Sequence, residues 1–238
     1  MIWYALETFA LKECTIEAFE AAIHQHYYGI ECDIQPTKDQ KLVVFHDLNL
    51  TRLASINKSI IDFDWHELKK IELSKLEVDN NTYKGHIPLF EDFLTLLKST
   101  STKAFIEMKE SFSVDDVHRM FDSIKLSNIN KNQVVIIANK SSFPLLIEIR
   151  KLDAEIKLQF VARKDYTLYL DDCITYGIDL DICVDLYFED KELFIENIKR
   201  FHLNNLKVNC WVVNDIKLIE TLESIGIDYV TTDSIRPL

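Results

Sequence analysis

Short apolar runs recur along the chain and alternate with segments whose apolar residues return every three or four positions. The runs are rich in Val, Ile, Phe, Tyr and Cys: IWYAL from residue 2, GIECDI from 29, AFIEMK from 104, VVIIA from 134, IKLQFVA from 156, IDLDICV from 178, KVNCWVV from 207 and YVTTD from 229. Brief runs of β-branched and aromatic residues predict strands, whereas a three-to-four spacing predicts helices with one buried face. Ile16, Phe19, Ile23 and Tyr27 keep that helical spacing, as do Val114, Val117, Phe121 and Ile124 behind Ser113, which forms a capping-box pattern with Asp116.

Eight strands alternating with helices predict a parallel α/β sheet, and the length suits a closed (β/α)8 TIM barrel spanning residues 1–238 as one domain. An open doubly wound sheet is the other architecture with this order, but no glycine-rich phosphate loop of the dinucleotide or Walker type is present. Only four glycines and four prolines punctuate the chain, and no linker or repeat divides it.

Charge and cysteine usage narrow the function classes. A net charge of −12 has the wrong sign for tracking nucleic-acid phosphates. No apolar stretch reaches the roughly 18 residues of a membrane span, and the start, MIWYALETFALKE, lacks the basic and apolar regions of a secretion signal, so a soluble cytoplasmic protein without stable membrane insertion is expected. The five cysteines are odd in number and scattered through apolar runs, which points to reduced thiols and not to zinc.

The chemistry concentrates in Gly29–Asp47. Strand residues two apart share a side, so Glu31 and Asp33 project together, with Cys32 and Ile34 facing the other way. PTKDQK then turns the chain, and LVVF leads into His46, so a hairpin would return an imidazole towards the two carboxylates. The strand AFIEMK adds Glu107 and Lys109, again two apart, and a barrel gathers strand ends at its C-terminal mouth. Three converging carboxylates repel one another and invite a cation; an all-oxygen set favours one divalent ion, Mg²⁺ or Ca²⁺.

These residues lie in a sequence that resembles the glycerophosphodiester phosphodiesterases, within the phosphatidylinositol-phospholipase-C-like barrel superfamily. ECTIEAFEAAIHQHYYGIECDIQPTKDQKLVVFHDLNLTR is similar to that family's signature stretch; GHIPLFEDFLTLL, FIEMK, LKVNCWVVND and GIDYVTTDS match its later motifs in order. The resemblance implies a barrel with a small insert after the strand-two hairpin, about residues 48–87. It implies that Glu31, Asp33 and Glu107 hold the cation, that His46 is a catalytic histidine, that Lys109 meets the phosphate, and that Trp211 lines the substrate pocket. The implied reaction is hydrolysis of a small glycerophosphodiester to an alcohol and glycerol phosphate.

The chain also departs from the family pattern. Where the first strand of the family ends in His-Arg-Gly, Leu6, Glu7 and Thr8 stand here; Cys14 replaces an asparagine, and Gln40 replaces the glycine of the turn after strand two. The last change is inexpensive if that turn avoids left-handed backbone. Two readings follow: a metal-dependent hydrolase relying on His46, or a catalytically weakened or inactive barrel that keeps a metal and phosphate pocket for a regulatory or partner role.

Overall fold

The computed structural model describes residues 2–5, 13–78 and 81–236. Its strands are β1 (Ile2–Ala5), β2 (Gly29–Pro36), β3 (Leu42–Val44), β4 (Glu72–Val78), β5 (Asn81–His86), β6 (Lys103–Met108), β7 (Val134–Ala138), β8 (Lys157–Ala162), β9 (Asp179–Cys183), β10 (Val208–Trp211) and β11 (Tyr229–Thr232). Neighbouring strands run β1-β11-β10-β9-β8-β7-β6-β2, all parallel, and β1 also pairs with β2, so the eight-strand sheet curls round to meet itself. Each predicted apolar run is one of these strands. The fold is α/β and TIM-barrel-like.

Sequence alternation sorts each strand into two faces. On β2, Cys32 and Ile34 have no exposure and join the main core between sheet and helices, while Glu31 and Asp33 point to the barrel's inside. Ile106, Ile136, Leu158, Leu180 and Val208 lie on the same outer side of their strands. The helices over them are amphipathic, as Val114–Ser127 shows: Ser113 caps it by accepting from the Asp116 amide, and Val117, Met120 and Ile124 turn inward. A smaller cluster, Phe105, Val135 and Ile137 with Tyr28, Val161 and Tyr229 beside it, plugs the barrel interior. Gly29 is required there, because a Cβ at that position would stand 2.3 Å from Cε2 of Phe105.

The first helix is shorter than its periodicity suggests. It covers Ile16–His24, and His26 beyond it takes a left-handed φ of 60°, so Tyr27 leaves the helix and instead donates its hydroxyl to the Ile235 carbonyl at 2.8 Å. The hairpin after β2 forms as expected: β3 runs antiparallel to it, pairing Ile34 with Val44 and Pro36 with Leu42. Residues that follow build a second small core from Val43, Phe45, Leu50, Leu53, Ile60, Leu68, Leu73 and Ile87, beneath short helices and the antiparallel pair β4–β5.

Two of the positions where the chain departs from the pattern it resembles fall on left-handed backbone: Cys14 at φ 57° and Gln40 at φ 62°. Asparagine and glycine are the residue types that accept this conformation most readily, so both substitutions carry strain, and the turn does not escape it as the sequence allowed. Gln40→Gly is therefore expected to stabilise the protein by about 1 kcal/mol, a rise of about 2–4 °C in melting temperature for a domain of this size. Calorimetry at neutral pH checks this; an unchanged or lower temperature would show that the Gln40 contact with Arg119, at 3.3 Å, outweighs the strain.

Candidate active site

The barrel's C-terminal mouth opens into a cavity of about 620 Å³, and Glu31, Asp33, His46, Glu107, Lys109 and Trp211 all line it. All six residues singled out in the sequence therefore meet in one place. β2 and β6 set the acidic group, since their parallel register places Asp33 beside Glu107 and Glu31 one inward step deeper, beside Phe105. One oxygen from each of Glu31, Asp33 and Glu107 lies within 4.8 Å of the others.

Lys109, just beyond β6, donates to Asp33 Oδ1 at 2.7 Å and approaches Glu107 Oε1 at 3.5 Å. One ammonium against three carboxylates leaves two negative charges uncompensated if all three ionise. Burial accordingly pushes the Glu31 carboxyl well above the usual range, with Asp33 and then Glu107 adding repulsion. Burial also raises Glu107, with Asp33 next in effect. Burial alone would lower the Lys109 pKa, but Asp33 and Glu107 outweigh it and hold that pKa above the ordinary lysine value. Glu31 Oε1 is shut from solvent without a hydrogen-bond partner. An orphaned buried carboxylate oxygen beside two further carboxylates is the donor set of a hard divalent cation, so the residues present fit the ion their spacing suggests.

His46 is delivered by the β2–β3 hairpin. Gln35 Nε2 donates to the carbonyls of Phe45 at 2.6 Å and Asp47 at 2.8 Å, which fixes the backbone on both sides of the histidine. Its Nδ1 sits 2.7 Å from Asp47 Oδ1, while Arg52 holds the Asp47 carboxylate through Nε at 2.7 Å and its terminal nitrogen at 3.0 Å. Arg52 also pairs with Glu13. The imidazole remains half exposed at 52 % and faces the cavity. Of the other histidines, His66 is exposed on the short helix Trp65–Leu68 and does not line the cavity.

Several cavity residues had not been singled out. Asp181 on β9 is 7 % exposed, accepts a hydrogen bond from Asn209 Nδ2, and burial pushes its carboxyl up to about 8. Asn209 also donates to Thr231 Oγ1 at 2.8 Å. Trp211 donates its indole N–H to the Asp181 carbonyl at 3.0 Å, and the Arg163 guanidinium lies over its ring, 4.4 Å from the centroid. The signal for Asp181 was available: IDLDICV alternates acidic and apolar residues just as GIECDI does.

Because Asp181 holds its proton to higher pH folded than unfolded, it favours the folded state below about pH 4 and progressively loses that advantage as pH rises to about 8. Asp181→Asn keeps an acceptor for Asn209 and removes the titration. The variant is expected to melt higher than the parent at pH 8 and level with it near pH 4; a difference that does not grow between those values would show that Asp181 is ionised throughout.

Comparison with known proteins agrees with this geometry. The model of the glycerophosphoryl diester phosphodiesterase family matches residues 6–236, and the chain belongs to that family. A glycerophosphodiester phosphodiesterase of Bacillus altitudinis is 27 % identical over 229 residues, covering 93 % of this chain and 89 % of the relative. Among solved structures, a glycerophosphodiester phosphodiesterase from Parabacteroides distasonis superposes with a TM-score of 0.78 at 21 % identity, over 98 % of this chain and 92 % of its own. A phosphodiesterase of Oleispira antarctica, in complex with the product sn-glycerol-3-phosphate, gives 0.77 at 17 % identity, over 98 % and 93 %. No helix among the described residues is long and apolar enough to cross a membrane, and no disulfide joins any of the five cysteines. Leu6, Glu7 and Thr8, which the sequence resemblance sets against His-Arg-Gly, lie outside the described residues.

Proposed function

We propose that this chain is a divalent-cation-dependent phosphodiesterase that splits a small glycerophosphodiester into an alcohol and glycerol phosphate. The observation that carries the reading is the convergence of Glu31, Asp33 and Glu107 within 4.8 Å beside Lys109, with Glu31 Oε1 left unpartnered. Those three carboxylates would hold Mg²⁺ or Ca²⁺, which when bound supplies a Lewis acid that polarises a phosphoryl oxygen. Lys109 adds a fixed positive charge for phosphate oxygens that become more negative as the ester bond breaks. His46 gives a proton to the departing alkoxide. With Nδ1–H donated to Asp47, that proton travels through Nε2, and Arg52 and Gln35 keep the ring in place for it. Trp211 bounds the cavity across the barrel from the acidic group and shapes the space for one end of the diester. The reading takes residues 1–238 as one barrel domain and residues 48–87 as a small insert beside the mouth.

A binding barrel without turnover is the second reading, and it rests on the loss of the His-Arg-Gly motif at Leu6, Glu7 and Thr8. Hydrolysis of glycerophosphocholine and of glycerophosphoglycerol by pure protein, with Mg²⁺, with Ca²⁺ and with EDTA, separates the two. Turnover that needs the ion and stops in EDTA is the expected result. Silence under every condition, while the ion still raises the melting temperature, would replace the hydrolase with the binding barrel.

A further inference from the structure

The cavity is two-sided in charge. Carboxylates crowd the β2–β6 side, whereas Lys140, Arg163 and Lys164 line it from the loops after β7 and β8. In a chain of net charge −12 this is a local reversal of sign. Arg163 makes no ion pair among the described residues, and its guanidinium stacks on Trp211. Lys140 has one distant ion-pair partner among the described residues, Asp165 at 4.0 Å.

An aromatic wall in such a pocket is where a quaternary ammonium would settle, because the ring face attracts cations. Here that face already carries a guanidinium. A cationic head group would have to displace Arg163 or lie against it, while an anionic arm meets a planar fork of donors that no described carboxylate holds in an ion pair, in a cavity that two lysines also line.

We propose that Arg163, stacked on Trp211, sets substrate specificity, selecting a glycerophosphodiester whose arm bears a second phosphate. This rests on the hydrolase reading above and adds the substrate class to it. Such a second phosphate arises in a deacylated diphospholipid or in a glycerol phosphate oligomer, which share a phosphodiester one glycerol away from the scissile bond.

The test compares bis(glycerophospho)glycerol and a glycerol phosphate oligomer with glycerophosphoglycerol, whose arm is neutral, and glycerophosphocholine, whose arm is cationic. At least one of the doubly charged substrates is expected to have the highest kcat/KM and glycerophosphocholine the lowest; whichever doubly charged compound leads names the source. Arg163→Gln is expected to narrow the ratio of doubly charged to neutral substrate by about fivefold, mostly through KM, and Arg163→Lys, which keeps the charge but loses the planar fork, to keep only part of it. Arg163 is exposed, so both variants are expected to fold as the parent does. Equal kcat/KM for charged and neutral arms, or a ratio untouched by Arg163→Gln, would overturn the proposal.

If no diester is turned over, the same ligands are titrated by calorimetry into Ca²⁺-loaded protein. Tighter, salt-sensitive binding of a doubly charged ligand that weakens in Arg163→Gln would uphold the charge selection while the hydrolase reading fails. Equal binding of all four would overturn the selection on its own.

Discussion

Glu31→Gln is expected to lower metal-dependent turnover by about three orders of magnitude and, without added ion, to raise the melting temperature. Both effects have one cause. The Glu31 carboxyl is buried, repelled by Asp33 and Glu107, and has an oxygen with no partner, so the empty pocket is less stable for carrying it. The same oxygen gives a hard cation its ligand, and losing several kcal/mol of charge stabilisation corresponds to about 10³-fold in rate. Saturating Mg²⁺ or Ca²⁺ should therefore raise the parent's melting temperature by about 5–10 °C, as expected for an ion near 100 times its Kd, and should do nothing to the variant. Thermal unfolding with and without the ion, beside the hydrolysis assay, reads all three quantities. A variant that still gains stability from the ion would move the cation site elsewhere.

His46→Ala comes next in size, at about 10²- to 10⁴-fold loss of turnover on a natural diester, the range spanned by general acids. Stability should hardly change, because the ring is half exposed and its one side-chain partner, Asp47, keeps Arg52. The size of the loss should depend on what leaves. An alkoxide needs a proton, whereas nitrophenolate leaves without one, so the variant's deficit is expected to shrink towards unity with a nitrophenyl diester. An equal deficit on both substrates would remove His46 as the acid and make it a group that only helps to bind. The outcome also bears on Leu6, Glu7 and Thr8: a large loss would fit a site that works without the first-strand histidine the resemblance sets against them.

What the sequence disclosed follows from how local each signal is. Glu31 and Asp33 could be paired on one face because a strand has a period of two, and Glu107 with Lys109 for the same reason. His46 was legible only because a hairpin links it to Glu31 within nineteen residues, and its orientation was not, since Gln35, Asp47 and Arg52 act through contacts that no spacing rule reports. Asp181 carried the same alternating pattern as Glu31, yet its place opposite the carboxylates depends on the ring closing, which is a property of all eight strands together. Arg163 follows the end of β8 with nothing in its neighbours to mark it; its role appears only when β10 brings Trp211 alongside. The strain at Cys14 and Gln40 was foreshadowed by the residue types the family uses there, but only a backbone angle turns that into a cost.

The seam of the ring has a consequence for how the molecule is made. Among the described residues, β1 meets β11 along Ile2–Tyr229 to Ala5–Thr232 and meets β2 at Tyr4 with Gly29 and Ala5 with Ile30. The first of these strands to be made thus also pairs with the last, and closing a loop of that length carries an entropic cost. Until β11 arrives, the growing chain holds an open sheet with bare edges at β1 and at its newest strand, the kind of edge that templates aggregation. Ring closure is then the late event of folding, and the acidic group on β2, one strand from the seam, reaches its final setting only when β1 and β11 have met.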